Sequence, residues 1–152
     1  MRFEWIATEL NELIKHARIF ADIINSEYII NKQVQPNVVE DPYILKVLSE
    51  LYRMGSSSIY PFLIFLLDLY QRDIILENNL LKILYAIKAF YIKRNITLIP
   101  KASNIRSRVL ETIRILQNNS DIDLIISNIS DLLREISVSD ERFKSDLCKP
   151  IY

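Results

Sequence analysis

One glycine, one histidine and one cysteine occur in the 152 residues, and each scarcity removes a class of function. A lone glycine, Gly55, leaves no G-x-G-x-x-G or Walker A loop, because those loops need glycine where backbone must approach a phosphate. A lone His16 and a lone Cys148 exclude zinc sites built from several Cys and His ligands. They also leave no Ser-His-Asp arrangement unless His16 is the base, and no nucleophile is marked beside it. Cys148 has no partner for an intramolecular disulfide, and no secretory n-region and h-region opens the chain, so a cytoplasmic location is expected. The longest apolar run, Ile59 to Leu67, is nine residues, against the roughly 20 a membrane span requires.

What is present is apolar periodicity. Half of the residues are apolar, too many for disorder driven by low hydrophobicity, and the length suits one domain spanning 1–152. Steps of three and four recur through the chain, which is the helical signature. Ile6, Leu10, Leu13, Ile14, Ala17, Ala21 and Ile24 form a stripe that predicts a helix over about 4–26 and its core-facing side. Residues 31–41, with Pro36, read as a loop. Asp41-Pro42 is an N-cap followed by proline at the first helical position, and Gly55 is a natural end to that helix.

Pro61 opens a segment with no polar face, Phe62 to Leu67, expected at the centre of the fold. A fourth helix is predicted from a cap at Asn78 or Asn79 to Lys93-Arg94, and a fifth from Ser103 or Asn104. Asp121 caps a sixth, and Ser139 a short last helix from Asp140 to about Cys148. The expected architecture is all-α: a single compact bundle of about six or seven helices around the buried Ile59–Leu69 helix. Tyr60, Phe62, Phe65, Tyr85 and Phe90 fall on or beside the apolar stripes, so core packing accounts for them better than base stacking. Cys148 is read as a small packing residue and His16 as a boundary residue.

Charge is balanced, 19 Lys+Arg against 19 Asp+Glu, but unevenly spread. Lys93, Arg94, Lys101, Arg106, Arg108 and Arg114 are opposed only by Glu111, a net +5 over 22 residues. From Asp121 to Asp146 seven carboxylates face three cations. The basic stretch can meet nucleic-acid phosphates. The plainer account is a solvated face, or pairing with the acidic segment. No catalytic, cofactor-binding or metal-ligating residue is assigned, and no small-molecule substrate, cofactor or membrane partner is expected.

Four motifs in order carry a resemblance. Tyr60-Pro61-Phe62-Leu63 opens the apolar helix, Tyr91 to Pro100 (YIKRNITLIP) follows about thirty residues on, and Ser103-Asn104-Ile105 leads the next helix. Glu141 to Leu147 (ERFKSDL) and Pro150-Ile151-Tyr152 close the chain. This resembles the helical middle region of GmrSD-like bacterial restriction proteins. In that family a ParB/sulfiredoxin-like nucleotide-hydrolysing domain precedes the helices and an HNH-type nuclease domain follows them. The Asp-Gly-Gln-Gln-Arg-type motif of the first domain and the His-rich motif of the nuclease are absent here, so the resemblance places no catalytic residue on this chain. It implies an inert helical scaffold or DNA-contacting module in a defence system. Such a module is an excised domain or truncated relative of a larger protein, touching DNA or adjacent domains through residues 93–114. The alternative is a free-standing helical adaptor or regulator that binds a protein through an exposed apolar groove, motivated by the nine consecutive apolar residues at 59–67.

Overall fold

A computed structural model describes residues 2–150; Met1, Ile151 and Tyr152, and with them the end of the Pro150-Ile151-Tyr152 motif, lie outside the described residues. Seven α-helices follow one another: α1 (Arg2–Lys32), α2 (Pro42–Arg53), α3 (Tyr60–Gln71), α4 (Glu77–Thr97), α5 (Ala102–Leu116), α6 (Ile122–Ile136) and α7 (Asp140–Leu147), with a 3-10 turn at Ser57–Ile59 before α3. There is no strand among the described residues. The chain is an all-α helical bundle, as its periodicity predicts.

Local chemistry sets most boundaries. Asp41 caps α2 by accepting from the Tyr43 and Ile44 amides at 2.8 and 3.0 Å, with Pro42 at the first helical position. Gly55 ends that helix at φ +70°, a conformation that costs glycine little. Asp121 accepts from the Asp123 amide, and Ser139 from the Arg142 amide, at the starts of α6 and α7. Other limits differ from expectation. α1 continues to Lys32, where Gln33 turns left-handed and the Val34 amide reaches back to the Ile29 carbonyl, a Schellman closure that needs no glycine. α4 starts at Glu77 without a side-chain cap and runs past Lys93-Arg94 to Thr97, ending on left-handed Leu98.

The core is one cluster spanning α1 to α6. α3 lies at its centre, against α1, α4 and α5, with Phe62, Leu63, Leu66, Leu67 and Leu69 buried. Its Ile64 and Phe65 are only half-buried, so one flank opens on a cleft. Tyr91 is buried, and its hydroxyl meets Ser58 Oγ at 2.6 Å; burial raises the phenol pKa, partly opposed by that hydrogen bond. Tyr85, expected in the core, is half exposed on α4, because the buried side of that helix is set by Leu84, Ile87 and Tyr91. Cys148 is likewise exposed rather than packed.

α1 departs furthest from its sequence reading. The side that meets α2 and α3 carries Ile19, Asp22, Ile23, Ser26 and Ile29. Ile6, Leu10, Leu13 and Ile14 are 42, 52, 65 and 51 % exposed. At about 100° per residue, Ile6, Leu10, Leu13 and Ala17 lie roughly half a turn from the packed side. The stripe is therefore real but faces outward, because only the second half of this 31-residue helix has the bundle beneath it.

Candidate interaction site

The six cations of the basic stretch fall on α4, α5 and their connection. Lys93 Nζ lies 2.5 Å from Asp140 on α7 and 5.9 Å from the Phe143 ring centroid. Its hydrogen bond, then its charge, lowers the Asp140 pKa. Arg108 pairs with Glu111 on its own helix and with Glu135 on α6; the hydrogen bond it donates to Glu135 leads the causes raising the arginine pKa. Arg94 Nε donates to the Pro100 carbonyl at 3.2 Å, which holds the turn between α4 and α5. Lys101, Arg106 and Arg114 are exposed and have no acidic partner among the described residues. The structure thus pairs Lys93 and Arg108 with the acidic carboxyl-terminal helices. It leaves Lys101 at the start of α5, and Arg106 and Arg114 about 80° apart around it.

His16 lies at the rim of a cleft of about 470 Å³ walled by α1, α3 and α5. Pro61, Ile64, Phe65, Leu110 and Ile113 form its apolar floor, and Glu12, Lys15, Asp68 and Arg72 its polar edge. Asp68 is 8 % exposed, with Lys15 Nζ 2.5 Å from Oδ1 and Arg72 Nε 3.4 Å from Oδ2. Although Lys15 is close, Oδ1 accepts no aligned hydrogen bond, so the contact is a charge pair that ties the middle of α1 to α3. His16 is 43 % exposed, with its Nε2 3.9 Å from Glu12, a boundary position. Lys15 and Arg72 thus balance Asp68 between α1 and the end of α3.

α1 also carries a run of exposed apolar residues. Phe3, Ile6, Leu10, Leu13, Ala17 and Phe20 recur at intervals of 3, 4, 3, 4 and 3, and all six are exposed. Phe3 is 85 % exposed and Phe20 39 %, the latter with one edge against Tyr60. A 3-4 alternation is the a/d pattern of a coiled coil, distinct from the wider stripe of a helix lying on a globular core. The sequence reading found most of these residues but assigned them to the core. The spacing alone does not tell such a seam from a core-facing stripe; the placement of α2 and α3 against α1 does.

The fold and this surface define a helical bundle that presents a narrow apolar stripe of α1, spaced by threes and fours, to solvent. No family model, curated protein or solved structure matches the chain. No helix among the described residues is long and apolar enough to cross a membrane.

Proposed function

We propose that this chain is a helical scaffold without chemistry of its own, and that it works by seating a helix of a protein neighbour on the outward seam of α1. The observation that carries this reading is the run of exposed a/d residues from Phe3 to Phe20 on a helix whose second half is anchored in the bundle by its opposite side. Contiguous exposed apolar surface of this kind marks interaction sites. The reading fits the resemblance to the middle region of GmrSD-like restriction proteins, where helices connect a nucleotide-hydrolysing domain to a nuclease. The neighbour is then an adjacent domain or subunit of such a defence system.

A photo-crosslinking residue placed at Leu13, in the full chain within the cells that make it, is expected to form a covalent adduct with a polypeptide. The same residue at Tyr85, an exposed aromatic off the seam, is expected to form none. Equal labelling at both positions, or none at Leu13, overturns the proposal.

A second reading is favoured by Lys101, Arg106 and Arg114, which have no acidic partner among the described residues and lie on or at the start of α5. In it, α5 touches DNA backbone beside the seated neighbour. Three phosphate contacts give a slope of log K against log salt of at most about −3. Binding of a labelled duplex at low salt should be lost in R106E/R114E. Absence of salt-dependent retention by the wild-type chain removes this reading and leaves the first intact.

A further inference from the structure

We propose that the occupant of the α1 seam is a second copy of this chain, packed antiparallel, so that the molecule self-associates through a short two-stranded coiled coil. This rests on the reading of α1 as a docking helix and names its partner.

Three arguments converge. The first is length: residues 3–23 are three heptads, the least over which an a/d pattern argues for a coiled coil. Ile24, half-buried, continues the a positions.

The second is packing. In an antiparallel pair each a residue faces a d residue of the other helix. A two-fold axis between positions 11 and 12 sets Phe3 against Phe20, Ile6 against Ala17, and Leu10 against Leu13, each layer occurring twice. Every apolar seam residue then finds an apolar counterpart, and the small Ala17 is met by the larger Ile6. A parallel pair stacks Ala17 on Ala17 and leaves the methyl-sized gaps that cores avoid.

The third is charge. Lys15 is held by Asp68 on the bundle side of α1, but Glu9 and His16 each immediately precede an a position and so flank the seam. In the register above Glu9 of each copy lies beside His16 of the other, on both sides of the axis. A parallel pair sets Glu9 level with Glu9 and His16 level with His16. The antiparallel arrangement also opposes the two helix dipoles favourably. Because the bundle lies on the other side of α1, both bodies stay clear of the seam.

A strip of 22 residues at 1.5 Å rise and about 10 Å width has a footprint of roughly 330 Å² per helix. That is below the roughly 800 Å² per partner of stable complexes, so the pair belongs with weak, transient associations.

The test is sedimentation of the full chain from about 10 to 300 µM, a range suited to weak, transient association. A monomer–dimer equilibrium is expected, and L10E/L13E should sediment as a monomer at every concentration with unchanged circular dichroism. The register is read by disulfide trapping in a C148S background. A mixture of L10C and L13C chains should crosslink at least several-fold faster than L10C alone. A monomer at the highest concentration, or L10C alone crosslinking faster than the mixture, overturns the proposal. If the chain stays monomeric while Leu13 still captures a different polypeptide in cells, self-association fails and the scaffold reading stands. If Leu13 captures nothing, the scaffold reading fails as well.

Discussion

Asp22 is fully buried with no cation beside it. Its counterparts are three backbone amides and one side-chain amide: Oδ1 accepts from Asn37 N and Nδ2 at 2.8 and 3.1 Å, and Oδ2 from Val38 N and Val39 N at 2.7 and 2.8 Å. One carboxylate on α1 thus folds the Pro36–Val39 loop onto the bundle, which lets Val39 join the core. A buried acceptor is worth most when its removal strands donors away from water. Replacing Asp22 with Ala strands the Val39 amide and exposes those of Asn37 and Val38 to poorer partners. We expect D22A to lose about 2–4 kcal/mol in urea unfolding, with an unchanged m value because the surface exposed on unfolding is the same. No periodicity reports this residue. A polar position amid an apolar helix reads as a boundary, and the donors that satisfy it lie fifteen or more residues away in a segment without pattern. The Asp41 cap was legible because its donors are two and three residues on.

Among the elements, the Asp41, Asp121 and Ser139 caps, the Gly55 turn and the apolar α3 were legible because each is decided by neighbours in sequence. By contrast, α4 and α5 start at Glu77 and Ala102 with no side-chain cap, not at the asparagines and serine expected. The fate of the basic stretch was not legible either, since it depends on where α6 and α7 return. α7 has eight residues, none of them buried, and packs on α4 through Lys93, Asp140 and Phe143. Its attachment is therefore electrostatic more than hydrophobic. Lys93 lowers the Asp140 pKa by hydrogen bond and charge, and Lys149, then Arg142, lower that of Asp146 within the same segment. A carboxyl whose folded pKa is depressed stabilises fully above its unfolded value and loses that contribution as pH falls through the folded one. α7 should consequently detach from α4 below the ordinary aspartate range while α3 stays folded. Amide exchange should show it: protection over Arg142–Leu147 falls at acid pH, and K93A produces the same loss at neutral pH. In about 1 M salt, where screening reaches about 3 Å, the wild type should loosen too. Uniform loss of protection across α3 and α7 would contradict this.

For the whole molecule, α1 divides into an anchored half and an outward one, and the two answer to different partners. Residues from Ile19 onward supply the buried Ile19, Ile23 and Ile29 and the Asp22 anchor. Lys15 adds the tie to Asp68. Before Lys15, every described residue is exposed. Burying a large apolar side chain is worth about 1.5–3 kcal/mol, and stretches that bury none contribute little to a total stability of roughly 5–15 kcal/mol. A chain beginning at Lys15 should then melt within a few degrees of the full chain at micromolar concentration. It should sediment as a monomer throughout and form no seam adduct. The sequence holds the stripe but not its direction, because an a/d pattern looks the same whether a bundle or another helix fills it. Only the placement of α2 and α3 against the opposite side of α1 decides between them. A large drop in melting temperature on truncation would mean that the amino-terminal half belongs to the core after all, and that the seam is a packing surface of this fold.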